Sequence, residues 1–420
     1  MDFATELPGF EIELEDFEVR KTSRLVTRLY SVRPGGSIHC VPKVVDGIVY
    51  FCSADQYVYA LGCERGEVIW KFRTDGMMAG NSPEIHGDVL YVGNLSGSFY
   101  AIERKTGRKI WEFRCGEGVT VKPLFYRGKL YFGCIDGNLY CLTSKGKELW
   151  RFKTGNELFY SPSAWEGKIY FGSGDSNFYC VDSETGREVW RFKTGDEVYS
   201  EAPSEVYGGV VYFASLDNYL YAVDARSGKE IWRFRTGKYG NCFSPVLHKN
   251  ILYHASRDGV LYALTSEGEE IWRFKAGGLV AVGVLIHNGR IYFGSEDHNL
   301  YCVDLRTGKE LWRFQTSGQV WSPPALWKDS LLFGSWDCHF YALTPRGEEI
   351  WRFTTSDRTI CKVDPPYKVF EVVVKKSTES EEKEGEKYDL NFSGETNESE
   401  YSVKSEYSFK SEYQIESEYG

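Results

Sequence analysis

Chemistry needs carboxylates, imidazoles or thiols brought together, and one carboxylate recurs through this 420-residue sequence. Asp55, Asp136, Asp175, Asp217, Asp258, Asp297 and Asp337 each sit in a turn-like stretch such as Glu-Asp-His-Asn at 296–299. A ring of such groups could hold calcium. An aspartate repeated once per copy of a repeat is better read as a turn residue, its short side chain accepting from backbone amides two residues on. His39 and Cys242 are the types for nucleophilic chemistry, but they lie in different copies and no acid can be placed to orient the imidazole. The sequence therefore predicts no catalytic residue, no metal site and no cofactor.

Variation between copies says more than repetition. Just before the repeated aspartate stand Ala54, Ile135, Gly174, Leu216, Arg257, Glu296 and Trp336, one position expected to be exposed and free to change. Aligning copies on Pro42, Pro83, Pro123, Pro162, Pro203, Pro245 and Pro324 places His39, Cys40, Tyr160, Glu201, Cys242, Phe243 and Trp321 near the same end, and the seventh copy has Val284 for proline. Together with Arg257, Glu296 and Trp336 these form a predicted recognition surface of aromatics and a few charges. It would suit a protein, peptide or small ligand. Stacking of a sugar on Trp321, Trp336 and Tyr160 is a further possibility.

The elements that position these residues follow from Trp70, Trp111, Trp150, Trp190, Trp232, Trp272, Trp312 and Trp351, which recur at steps of 39 to 42 residues. That period suits propeller blades or helical solenoids. Within a copy such as 289–316, short β-branched and aromatic runs are cut by turn signals too close together for helices. With the upstream run, Trp321 to Leu326 in the last copy, each repeat gives four strands, A to D from the axis outward. The predicted fold is all-β: an eight-bladed propeller with four antiparallel strands per blade. D-to-A connections and B-to-C turns should share one face. Trp and Phe of Trp-x-Phe fall on one side of strand D, and the eight Trp residues are expected to dock blade on blade. Arg151, Arg191, Arg233, Arg273, Arg313 and Arg352, on the outer strand, should discourage edge pairing or stack on a neighbouring ring.

The stretch Tyr-Ala-Val-Asp-x-x-x-Gly-Lys-Glu-Ile-Trp at 221–232, varied at 59–70, 100–111, 140–150, 179–190, 262–272, 301–312 and 341–351, resembles the pyrroloquinoline quinone repeat. That family includes eight-bladed quinoprotein dehydrogenases and the non-catalytic propeller of the outer-membrane assembly lipoprotein. The resemblance covers about 37–356 and implies the propeller. It also implies, for the dehydrogenases, long excursions between blades, a vicinal disulfide and a calcium site. Here no two cysteines are adjacent and the even steps leave no room for a lid. The leading expectation is a non-catalytic cytoplasmic scaffold or binding module, nearer the lipoprotein type. The alternative is a quinone-dependent oxidoreductase.

Composition sets the surroundings. A chain 42% hydrophobic and 16% aromatic can bury a large core, and no apolar run approaches the ~20 residues that span a membrane. The N-terminus lacks the basic and apolar pattern of a secretory signal. The eleven cysteines are scattered, with Cys141, Cys180 and Cys302 in a slot that is alanine in other copies, which fits a reducing cytoplasm. Net charge is −10, concentrated in the ends: seven acids and no base in 1–19, thirteen acids against six bases from Lys375. The body is left slightly positive, which argues against nucleic acid, and the partner is an unidentified protein or peptide. The layout is an acidic arm at 1–36, the propeller at 37–356, a trailing strand at 357–376 and an acidic Ser/Glu/Tyr-rich tail at 377–420. Residues 10–20 predict one short strand. Residues 24–36 resemble a degenerate D strand with Tyr30 in the Trp slot, which would either add to the closing blade or compete for it. From 401 to 419 the tail alternates with period two, so it is either a disordered arm or a strand for self-association or partner binding.

Overall fold

The computed structural model describes residues 36–355 apart from 79, 201, 242, 281 and 282, together with 17–19, 371–374 and 390–391. Every described element is a β-strand, and no helix among the described residues is long and apolar enough to cross a membrane. Eight sheets of four antiparallel strands follow one another, each built from consecutive strands. Blade 4 is representative, with A at Ser163–Trp165, B at Lys168–Ser173, C at Asn177–Asp182 and D at Glu188–Lys193. The A strands are three residues long, shorter than the sequence suggests. In blade 8 strand A is Ala325–Trp327, leaving Trp321 in the preceding loop, because proline cannot donate to a ladder and Pro323-Pro324 stands just before it.

Strands B and C carry the core, with rings meeting between blades. Phe178 stacks on Phe213 of blade 5 at 3.9 Å and Phe99 on Phe132 of blade 3 at 4.1 Å. Strand D follows the expected alternation: Trp and Phe turn inward while Ile, Arg and Lys face water. Each Arg sits over a tyrosine, as Arg151 does over Tyr140 at 5.0 Å.

The repeated Trp does dock blades. Each indole lies against the glycine of the C-to-D turn in the next blade: Trp70 on Gly107, Trp190 on Gly228, and Trp351 on Gly66 of blade 1. Six of them also donate Nε1–H to a carbonyl of that turn, among them Trp70 to Arg104 O at 2.9 Å and Trp351 to Cys63 O at 3.1 Å. The ring therefore closes through the same contact that joins its other blades. Phe51 stacking on Phe340 at 4.2 Å and Ile38 N donating to Ser335 O at 3.1 Å complete the seam. The D strand of blade 8 is its own Glu349–Thr354, so the early copy does not take its place. Residues 24–35 and the tail 399–420 lie outside the described residues.

A second compact unit comprises 1–31 and 363–420, separate from Val32–Lys362. In it Phe17–Val19 runs antiparallel to Glu371–Val374, which pairs with Leu390–Asn391, while the alternating run Phe10, Ile12, Leu14 that suggested the N-terminal strand lies outside the described residues.

The docking glycines make a clean test. At Gly228 φ is +69° and an added Cβ would lie 2.6 Å from Trp190, whereas at Gly87 φ is +58° with nothing within 4 Å. Gly87→Ala is expected to cost about 1 kcal/mol for backbone strain alone. Gly228→Ala should cost at least about 2 kcal/mol, because the indole must also move. Chemical denaturation of the two variants checks the difference.

Candidate functional site

The face carrying the D-to-A loops is built around the repeated aspartates. Asp136 Oδ1 accepts from Asn138 N at 2.9 Å and Oδ2 from Tyr140 Oη at 2.6 Å, the turn role read from sequence. The same Oδ2 accepts from Gly116 N at 3.2 Å, an amide of the loop arriving from blade 2. Asp175, Asp217 and Asp258 repeat this with Gly155, Gly195 and Gly237 at 2.7–2.8 Å. The aspartates are thus ties between blades.

Blade 2 performs the same task with the residues exchanged. Ser96 stands in the aspartate slot, and Asp75 stands in the glycine slot of the loop. Asp75 Oδ1 accepts from Tyr100 Oη at 2.7 Å and from Asn94 Nδ2 at 2.6 Å. Burial opposes its charge, but bonds from Tyr100, Asn94, Ser98 and Arg114 hold the carboxyl down at about 2.

The predicted mouth residues mostly do not face solvent. His39, Phe243, Trp321 and Trp336 form one cluster: Trp321 meets His39 edge-on at 4.9 Å, Phe243 at 6.5 Å and Trp336 face to face at 5.6 Å. Phe243 leads into blade 6, Trp321 into blade 8 and His39 into blade 1, so these contacts link loops of neighbouring and next-neighbouring blades. Tyr160, leading into blade 4, reaches the loop entering blade 6, bonding Ser244 Oγ at 2.9 Å. Trp321 is 1% exposed and Tyr160 fully buried. Their burial removes them as an open sugar-stacking surface.

The remaining predicted residues divide. Cys40 faces strand B of blade 1, its Sγ accepting from Cys52 N at 3.1 Å. Arg257 is buried and Glu296 half-buried on adjacent blades. Burial pushes the Glu296 carboxyl up to about 7, with the Arg257 charge opposing. Glu201 and Cys242 lie outside the described residues. Contrary to expectation, the position before the repeated aspartate is buried in five of the seven copies, Leu216 and Glu296 being half-buried, because its amide is held by the incoming loop: Ile135 N by Gly118 O at 2.9 Å and Trp336 N by Gln319 O at 2.9 Å.

Sequence reasoning missed the other end of the axis. On the inner strands Lys43, Glu84, Leu124, Glu205, Val246, Leu285 and Ala325 are half-buried, while B and C are almost fully covered. Two residues on, at the A-to-B turns, stand His86, Tyr126, Trp165, Tyr207, His248, His287 and Trp327. Tyr207 is 58% exposed, and His86 stacks on Phe125 at 3.8 Å. Aligning copies on the A-to-B turn instead of on proline brings this belt out of the sequence.

With this geometry in place, comparison with known proteins adds the lineage. The family model described as outer membrane protein assembly factor BamB matches residues 27–118, 54–157, 113–233 and 216–361. The chain belongs to this family, whose repeats are of the pyrroloquinoline quinone type. Among solved structures, BamB from Moraxella catarrhalis aligns with a TM-score of 0.59 at 18% identity, covering 73% of this chain and 91% of that one. The quinohemoprotein alcohol dehydrogenase ADHIIG from Pseudomonas putida gives 0.60 at 16%, covering 74% and 71%. These likenesses show the fold. Curated relatives include 1-butanol dehydrogenase (cytochrome c) of Thauera butanivorans, 28% identical over 25% of this chain and 17% of its own length. Quinohemoprotein alcohol dehydrogenase ADH-IIG of Pseudomonas putida is 30% identical over 23% of this chain and 16% of its own length. The chain thus spans under a fifth of these two relatives. Their names still correct the expectation of a chain that is not an enzyme, since the curated relatives that match it are themselves enzymes.

The residues of the loop mouth do not fit a quinone of that family. A planar tricyclic ring needs an open slot between flat groups, and Trp321 and Trp336 already cover one another at 5.6 Å. Among the described residues no group of three or more His, Cys, Asp or Glu is placed to hold a metal ion.

Two outcomes follow. Trp321→Ala should destabilise the protein by roughly 3–5 kcal/mol, as a core tryptophan would, instead of leaving stability intact as an exposed site residue would. Because the Glu296 carboxyl is raised, its contribution to stability is full below about 4.5, is lost as pH rises, and is gone above about 7. Glu296→Gln should therefore match wild type at pH 4 and exceed it by about 1–3 kcal/mol at pH 8. Urea midpoints at the two pH values measure this.

Proposed function

We propose that the propeller is a cytoplasmic binding module that takes a small ligand into its axial channel from the A-to-B-turn face. The observation carrying this is the asymmetry of the axis. The loop face is filled by Tyr160, Phe243, Trp321 and His39, while inner-strand side chains below it remain half-exposed. A concave channel with mixed walls and a belt of rings at its opening has the make-up of a small-molecule site. The cytoplasmic part of the proposal rests on the nine described cysteines, all free thiols.

Oxidoreductase chemistry is the second reading, supported by the names of the curated relatives. Titration with pyrroloquinoline quinone and calcium, read by saturable binding and dye reduction, decides whether it stands.

The channel reading is tested by native mass spectrometry of the purified full chain for a retained small molecule. Ala325→Trp, which fills the channel, is expected to abolish retention or re-binding. Gln319→Trp on the loop face should leave it unchanged. The reverse pattern would overturn the proposal and return the site to the loop mouth.

A further inference from the structure

Two ammonium groups in the axial channel share one carboxylate oxygen. Lys43 Nζ lies 3.5 Å and Lys122 Nζ 3.1 Å from the same Glu84 Oε2. Lys43 and Glu84 are the first residues of the inner strands of blades 1 and 2, and Lys122 stands in the loop entering blade 3, two residues before its inner strand begins at Leu124. Their side chains are only 33%, 24% and 19% exposed in the order Lys43, Lys122, Glu84, so water screens them poorly. Among the described residues neither lysine has an ion pair with any other acid. Burial lowers the pKa of the Lys43 ammonium, the neighbouring Lys122 charge lowers it further, and Glu84 offsets this only in part. A formal excess of one positive charge is thus held in a half-buried channel. An isolated structural tie would need only one lysine, and the second adds like-charge repulsion in a poorly screened place.

The rest of the channel wall is arranged differently. Around blades 6, 7 and 8 the equivalent positions are Val246, Leu285 and Ala325, all half-buried and apolar. Glu205 of blade 5 is the other acid at this level, and burial pushes its carboxyl upward, toward the neutral form.

We propose that Lys43 and Lys122 bind the carboxylate or phosphate head of a small organic anion whose apolar body lies along Val246, Leu285 and Ala325. The inference rests on the channel reading above and names the class of ligand. The anion supplies the second negative charge that the two ammoniums lack, and each forms a charge-assisted bond to it. The head is held between the first residues of the inner strands of blades 1 and 2 and the loop entering blade 3. The body leaves water for the apolar side of the same channel.

Calorimetric titration of the full chain at low salt with phenyl phosphate, benzoate and inorganic phosphate tests this. Phenyl phosphate or benzoate should bind saturably, and whichever binds identifies the head. An aromatic body should tighten binding about tenfold over the inorganic ion. Lys43→Met and Lys122→Gln should each weaken binding about tenfold or more, while Lys238→Met, on the exposed loop face, should not. Melting temperature provides the second measurement, because a ligand that binds only the folded chain raises it. Wild type should melt higher in phenyl phosphate or benzoate, and the Lys43→Met/Lys122→Gln double variant should not respond. If wild type binds none of the three probes up to about 10 mM, or if Lys238→Met weakens binding as much as the channel variants, the proposal fails. If Ala325→Trp abolishes ligand retention while the lysine variants bind as wild type, the anion site is wrong and the channel reading survives.

Discussion

Everything in the propeller depends on one contact repeated round a circle: an indole laid on the glycine of the next blade's C-to-D turn. A four-stranded sheet cannot bury both faces alone, so each blade is stable only between two neighbours. The glycine lets the indole reach backbone, and a Cβ there would intrude on the ring, as at Gly228 under Trp190. The Nε1–H bond to a turn carbonyl fixes the angle between blades as well as their distance. Because Trp351 makes this contact with Gly66 and Cys63, the seam between blades 8 and 1 needs no borrowed strand.

A second ring of ties on the loop face decides where the channel opens. Five of the seven turn aspartates accept from an amide of the incoming loop, and serines link loops on the same face, as Ser82 Oγ does for Val41 N at 2.8 Å. Phe243 and Trp321 meet there from blades two apart. The inner strands hold no comparable plug, so half-exposed side chains persist toward the opposite face. The exchange of Asp75 for glycine with Ser96 for aspartate shows that the tie is what the framework requires, since the loop supplies the carboxylate where the turn lacks it.

Much of this was legible in the sequence, for a definite reason. Blade number, strand count, the docking role of tryptophan and the turn role of aspartate all repeat, and repetition separates a framework residue from an incidental one. The apolar run around Glu371–Val374 was visible as a strand, but its pairing with Phe17–Val19 was not, because pairing across the chain leaves no local trace. The predicted mouth residues are packed where an open surface was expected. Trp321, Trp336 and Tyr160 vary between copies and are aromatic, which suggested recognition. Variation also arises where eight unequal loops must fill one irregular space, and a sequence does not separate packing against a neighbour from facing a ligand. Lys43 and Lys122 were passed over because they occupy slots that differ by two residues relative to strand A and align with no motif.

The outer edge narrows the choice of binding surface further. Every D strand presents an aliphatic side chain at a register shift, such as Ile69 opposite the Ala60/Leu61 step, 44% exposed. A bulge interrupts the ladder there, and most of the flanking arginines are paired to a glutamate of the same strand, as Arg151 is to Glu148 at 2.7 Å. An edge that is bulged and charged in all eight blades resists strand addition, and its eightfold sameness offers no single partner a unique seat. The inner strands differ in this respect. At one geometric position they read Lys43, Glu84, Leu124, Ser163, Glu205, Val246, Leu285 and Ala325, charged at blades 1, 2 and 5 and apolar across blades 6 to 8. Asymmetry of that kind is what a specific ligand requires of a nearly symmetric scaffold, and within this propeller it is concentrated along the axis.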